Sequence, residues 1–286
     1  MKILVVGGTG TVGSEVVRQL MSRGEQVFVL TRSREHASKL PKGVTGVIGD
    51  LLDPSTLGVF SGMEAVFLLN PVTVTESFEG LLGVNGARDG GAKRIVYMSV
   101  HHLDRAPHLP HFGGKIGIEA AVMKSGMEYT IVRPNNFYQN DVWFKDVILN
   151  YGVYPQPLGN TGVSRVDVRD IAEISVAALT TSAHNRKIYN LVGPDAVTGE
   201  STAADWSRAL GKPIRYAGDD LNAWEEQNRP YFPPSTLYDF KHMYAFFQKD
   251  GLKATPADVA QLTSVLGHPP RGFAAYADEM AAAWKS

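Results

Sequence analysis

Apolar residues come in short blocks along the first half of the chain, at 3–6, 26–31, 44–48, 65–69, 94–100 and 129–132. Several blocks are nearly continuous rather than alternating, the pattern of strands buried on both faces of a parallel sheet. Between them, 11–23, 54–60, 75–89 and 115–124 have helical length or a helix-like face. Gly24 and Gly126 sit where helix stops belong. Strand and helix alternating in this way predict an α/β doubly wound parallel sheet.

The texture changes after Arg133-Pro134. Residues 151–162 carry Pro155, Pro157 and three glycines and read as loop. A helix is expected at 168–181 and a strand at 187–192. From Gly193 onward the chain reads as a smaller, mostly helical lobe. Thr255 followed by Pro256 and Asp258 supplies a cap, a proline at the first helical position and an acid in the first turn. That helix should run to Leu266 and stop at Gly267. Phe273, Tyr276, Met280 and Trp284 then form a stripe spaced three, four and four apart, a core-facing helix.

Chemistry enters at the first strand-to-helix turn, Gly7-Gly8-Thr9-Gly10-Thr11-Val12-Gly13. Gly7 permits the tight turn, Gly10 lets backbone approach a pyrophosphate, and Gly13 lets the helix pack against the strand. The helix start offers free N–H groups and the positive end of its dipole. A dinucleotide site follows, formed by Gly7, Thr9, Gly10, Thr11, Val12 and Gly13. Residues 1–150, with return segments at about 164–192, are expected to form the dinucleotide-binding Rossmann domain. Residues 193–286 are expected to form the substrate lobe.

The end of the second strand selects the cofactor. A site for NAD(H) usually places Asp or Glu there for the ribose 2′-hydroxyl. This chain has Thr31-Arg32-Ser33-Arg34, and Arg32 can pair bidentately with a 2′-phosphate, with Arg34 or Lys39 adding charge. NADP(H) is therefore favoured over NAD(H). Asp50 and Leu51 follow the third strand, where a carboxylate can accept from the adenine amino group. Leu69, Asn70 and Pro71 end the fourth strand beside the expected nicotinamide ribose.

Composition narrows the rest. With 286 residues the chain can bury a core without staples, and it holds no cysteine. That removes disulfides, thiolate nucleophiles, iron–sulfur clusters and cysteine-ligated zinc. A net charge of −1 gives no global field toward nucleic acid or an anionic membrane. The first apolar run is too short for a signal-peptide core or a membrane span, so a cytoplasmic protein is expected. His101, His102, His108 and His111 cluster, but the spacing of metal ligands is not evident and no metal is expected.

The glycine spacing resembles that of extended and atypical short-chain dehydrogenases/reductases. Residues 94–99 (Arg-Ile-Val-Tyr-Met-Ser) look like the fifth strand of that superfamily. Residues 115–119, 129–134, 137–140 and 166–172 resemble the NmrA-like subgroup, well to about residue 200 and weakly beyond. The resemblance implies a Rossmann domain with a small substrate lobe, and it brings Pro134, Asn135 and Phe137 toward the cofactor. It implies that Lys115 touches the nicotinamide ribose hydroxyls, and that Ser99 occupies the strand-five serine position.

Most members of the superfamily pair a lysine with a tyrosine four residues earlier, which protonates the developing alkoxide. Here His111 stands in that place and the tyrosine is missing. Lys115 and His101 are the candidate catalytic residues; His101 follows the strand carrying Ser99. Hydride addition to a quinone, an activated alkene or a dye gives a stabilised product that needs little help from an acid. Val72, His101, Phe112, Asn136 and Tyr138 are expected to line a pocket for a hydrophobic or aromatic substrate, in a monomer or a homodimer. The leading reading is an NADPH-dependent reductase of an aromatic or conjugated small molecule. A dinucleotide-sensing regulator without turnover and an epimerase or isomerase are the alternatives. Arg32→Ala should weaken NADP(H) by ~1–3 kcal/mol and NAD(H) far less. Paired titrations check this; equal loss for both cofactors refutes the 2′-phosphate role.

Overall fold

A computed structural model describes residues 1–285. In chain order the elements are β1 (Lys2–Val5), α1 (Thr11–Ser22), β2 (Gln26–Thr31), α2 (Arg34–Ser38), β3 (Thr45–Ile48), β4 (Ala65–Leu68) and α3 (Glu76–Asp89). Next come β5 (Arg94–Met98), α4 (Pro110–Lys124), β6 (Glu128–Pro134), α5 (Lys145–Tyr151), β7 (Val153–Tyr154), α6 (Val168–Thr180) and β8 (Lys187–Leu191). The last are α7 (Gly199–Leu210), β9 (Arg215–Tyr216), α8 (Leu221–Asn228), α9 (Pro234–Asp250), α10 (Pro256–Leu266) and α11 (Phe273–Lys285).

Seven strands form one sheet in the order β3-β2-β1-β4-β5-β6-β8. The neighbours from β3 through β6 pair in parallel. This is the doubly wound Rossmann arrangement, with its switch point between β1 and β4. The continuous apolar blocks behave as expected: Ala65, Val66, Phe67 and Leu68 are all fully buried. One face of the sheet packs Leu4, Val66, Leu68, Ile95 and Tyr97 against Val84, Ala87, Ile118 and Val122 of α3 and α4.

The chain divides into two compact units. One is Met1–Arg133 with Ile171–Tyr189; the other is Pro134–Asp170 with the residues from Asn190 on. Residues 134–150, kept with the cofactor domain in the sequence reading, thus fall in the second unit. The reason is their hydrogen bonding. Asn136 Oδ1 and the carbonyl of Phe137 accept from Arg165, and the Asn135 side-chain amide donates to the carbonyl of Leu252.

The second unit is organised around that arginine. Arg165 and Asp141 are both fully buried, with Nη2 to Oδ1 at 2.6 Å. Asp141 also accepts from Gln156 Nε2 at 2.6 Å and from Trp206 Nε1 at 2.9 Å. Rings of Phe273 and Tyr138 lie 5.2 and 5.9 Å from the guanidinium carbon. The apolar stripe of α11 contributes here: Phe273 and Tyr276 are buried, and Trp284 stacks on Trp206 at 4.6 Å. The expected cap of α10 is present, with Thr255 and Asp258 bonding reciprocally and Gly267 left-handed after Leu266.

Other expectations shift. Residues 54–60 are a 3₁₀ segment capped by Asp53 rather than an α-helix. Helix α4 begins at Pro110, five residues before the expected start, because proline sits comfortably in a first turn. The loop at 151–162 contains β7, which pairs with β9. Helices α2 and α5 are short and were not anticipated. Among the described residues no helix is long and apolar enough to cross a membrane.

Removing one partner of a fully buried ion pair strands the other charge. Asp141→Ala should therefore destabilise the protein by about 3–5 kcal/mol, read from denaturant unfolding. A loss under about 1 kcal/mol, the range of an exposed pair, would contradict the central place given to Arg165.

Candidate functional site

The glycine turn is built by close approach. Gly7 has φ +78°, and a Cβ placed there would sit 2.8 Å from the carbonyl oxygen of Leu69. A Cβ on Gly13 would lie 2.1 Å from the Gly7 carbonyl oxygen. Any side chain at Gly13 would push α1 off the end of β1. Gly10 is the N-cap of α1 and has no side chain to offer, so the helix start keeps donors for a ligand. Thr9, Gly10 and Thr11 are exposed there, whereas Val12 is buried and anchors the helix. Gly8, outside the sequence prediction, is equally constrained: a Cβ would lie 2.9 Å from the methyls of Val29.

Strand register carries the site along the sheet edge. Val5 pairs with Phe67, so Gly7 and Leu69 each lie two residues beyond that pair. Leu68 pairs with Tyr97, so Asn70 and Ser99 stand at one level past β4 and β5. Asn70 is 3% exposed and Ser99 2%. Neither the amide of Asn70 nor the hydroxyl of Ser99 has a hydrogen-bond partner among the described residues. A buried polar group left unpaired costs ~1–3 kcal/mol, and hydroxyls or amides of a ligand could complete these bonds. Pro71 and Val72 are exposed just beyond.

Past β2, Arg32 and Arg34 are exposed and make no hydrogen bond or ion pair with described residues. Helix α2 follows directly, with Ser33 capping His36 N–H at 3.1 Å. This helix brings His36, Lys39 and Leu40 together with Gly8, Thr9 and Ser14 around a cleft of about 420 Å³. Lys39 bonds Glu35 across one helical turn, both ends well exposed, a pair weak enough to yield to a phosphate. His36 and Leu40 escaped the sequence reading; the cap at Ser33 and the Glu35–Lys39 spacing were the available signal. Thr31 is buried at the strand end, and Leu51 is buried beyond β3. Asp50 spends Oδ1 on the N–H of Leu52 at 2.9 Å, closing a turn.

Lys115 is not near the helix start, since α4 begins at Pro110. It is 5% exposed, and its Nζ pairs with Oε1 of Glu76 at the first residue of α3. Glu119, one turn on, pairs instead with Arg133 at 2.6 Å. Beneath them lies the Tyr97 hydroxyl; burial, then the nearby charges of Glu76 and Glu119, push it well above the usual phenol range. It stays a neutral O–H.

His101 is fully buried and stacks on His102 with ring centroids 3.7 Å apart. His102 has φ +58°, a left-handed backbone that side chains rarely adopt. His111, in the usual tyrosine position, is half-buried with its ring edge-on to Phe112. Phe112 is 1% exposed and belongs to the core of its own unit.

The remaining predicted residues belong to the second unit. Pro134 and Asn135 are buried there, and Phe137 gives its carbonyl to Arg165. Asn136 is committed to Arg165 through Oδ1 at 2.9 Å. The Tyr138 hydroxyl donates to the carbonyl of Arg271 at 3.1 Å. The roles proposed for Asn136 and Tyr138 toward substrate thus meet side chains already spent within their own unit.

Known proteins extend this picture. An NAD(P)H azoreductase of Xenophilus azovorans is 35% identical over 99% of both chains. A (4-alkanoyl-5-oxo-2,5-dihydrofuran-3-yl)methyl phosphate reductase of Streptomyces griseus is 32% identical, again over 99% of both. The NADPH-dependent quinone oxidoreductase QOR2 of Escherichia coli superposes with a TM-score of 0.82 at 25% identity, covering 97% of this chain and 99% of that one. The NmrA-like family model matches residues 1–274, and the chain belongs to the NmrA-like family.

Proposed function

We propose that the protein is an NADPH-dependent reductase of aromatic or conjugated small molecules, of the azo, quinone or enone class. The observation that carries the reading is the carboxyl edge of β1, β4 and β5. There a turn with no room for a side chain at Gly7, Gly8 or Gly13 adjoins the polar atoms of Asn70 and Ser99, unpaired among the described residues. The residues fit a dinucleotide. Backbone N–H groups at the start of α1 hold the pyrophosphate, and Arg32 with Lys39 holds the 2′-phosphate. Asn70, Ser99 and Lys115 face the nicotinamide ribose. Bound there, NADPH supplies a hydride.

The acceptor class follows from what the chain lacks. His111 replaces the tyrosine that would protonate an alkoxide, and the Tyr97 hydroxyl is locked in the core. An azo, quinone or enone acceptor leaves a delocalised anion that water can protonate. The close relatives named as an azoreductase and a reductase of an unsaturated lactone support this choice. The first unit is the cofactor domain, the second is the substrate lobe, and the protein works in the cytoplasm.

Two variants test the reading. Asn70→Leu replaces unpaired polar atoms by a side chain of similar shape. The ligand-free protein should gain about 1 kcal/mol of stability while NADPH affinity falls about tenfold. Unchanged affinity would remove Asn70 from the site. Lys115→Ala should lower turnover of NADPH with quinone and azo acceptors by about 10–100-fold, the loss of one charged hydrogen bond. Denaturant unfolding and an NADPH titration read the first variant, and NADPH absorbance during turnover reads the second. Undiminished turnover would take Lys115 out of the mechanism, and NADPH binding with no oxidation by any acceptor class would favour a cofactor-sensing regulator.

A further inference from the structure

We propose that Glu76 is the positioning residue for Lys115, fixing where its ammonium stands relative to the dinucleotide. The inference rests on the role given to Lys115 above. It begins with two helices that touch closely. A Cβ on Gly80 of α3 would lie 2.3 Å from Cδ1 of Ile118 in α4. A Cβ on Gly114 would lie 2.8 Å from Oγ of Ser77, which donates to the Gly114 carbonyl at 2.9 Å. Small residues on both helices thus let the first turn of α3 meet the second turn of α4.

Into that contact the chain puts two charges. The side chains of Lys115 and Glu76 are 6% and 4% exposed, and they pair across the helices. An ammonium withdrawn from water so far needs a counter-charge, since burying it alone is strongly unfavourable. The other buried acid on the same face of α4 is committed elsewhere: Glu119 takes Nε and Nη2 of Arg133 at 2.9 and 2.6 Å. Glu76 itself opens α3, where the helix dipole favours a carboxylate. It is therefore a charged, fixed anchor rather than a mobile one.

The anchor determines direction. An ammonium has three N–H donors, and Glu76 takes one. Lys115 makes no other hydrogen bond with the described residues, so two donors stay uncommitted. Both helices leave the sheet edge in successive strand–helix units, α3 after Asn70 and α4 after Ser99. The carboxylate thus holds the ammonium at the first residue of α3, the helix that follows Asn70. Lys115 is the residue that touches the ligand; Glu76 acts through it.

The test uses the full chain, reading NADPH affinity by fluorescence titration and steady-state kinetics with a quinone acceptor. Glu76→Gln keeps the size and loses the charge. Glu76→Asp keeps the charge and draws the ammonium back by one methylene. Each should weaken NADPH and lower kcat by about tenfold while leaving KM for the acceptor within about twofold. In a Lys115→Ala background, Glu76→Gln should have no further effect on either quantity. Additive losses, a change confined to acceptor KM, or full activity in both single variants would overturn the proposal. Should Glu76→Gln fail to fold, Glu76→Asp alone decides by the same split. If Lys115→Ala itself changes neither affinity nor kcat, the reading of Lys115 fails; if it does and the Glu76 variants do not, only the role of Glu76 fails.

Discussion

The structure of the first unit depends on how closely α1 approaches the end of β1. With a side chain excluded at Gly13 by the Gly7 carbonyl and at Gly7 by the Leu69 carbonyl, three backbone segments meet at the switch point of the sheet. That contact aims the N–H groups of α1 at one place. It also sets the level at which β4 and β5 end, and so where Asn70 and Ser99 stand. A bulkier turn would keep the sheet and lose the site.

Buried polar groups are treated in two different ways in this molecule. The Arg165–Asp141 pair is fully enclosed and its groups bond side chains and carbonyls throughout, which is the mark of a structural hub. Asn70 and Ser99 are almost as buried, yet their side-chain atoms have no partner among the described residues. An unpaired amide costs stability, and a fold keeps it where a ligand completes the bonds. The Glu76–Lys115 pair lies between these cases: neutral as a unit, but with donors left over.

Much of the fold was legible in the residues. The continuous apolar blocks marked strands buried on both faces, and the glycine turn was recognisable because steric exclusion leaves glycine as the one residue that fits. The cap at Thr255 and the aromatic stripe of α11 were local signals and held. What escaped depends on tertiary contact. Helix α2 is five residues long and too short for periodicity to register, so His36 and Leu40 were missed at the cleft. Asn136 and Tyr138 looked like pocket residues by position, but their bonds, Asn136 Oδ1 from Arg165 and the Tyr138 hydroxyl to the Arg271 carbonyl, are with residues 29 and 133 positions away. Glu76 carried no signal at all, because its meaning comes from a lysine 39 residues away.

The central claim is that this edge of the sheet holds NADPH ready to reduce a conjugated acceptor. The most direct measurement is a single-turnover experiment in which the protein, saturated with NADPH and freed of excess, is mixed with an azo dye or a quinone. The account predicts that the bound NADPH is consumed with loss of the acceptor in matching amount, and that NADH in place of NADPH binds poorly. NADPH that stays bound and unoxidised in the presence of every such acceptor would contradict it.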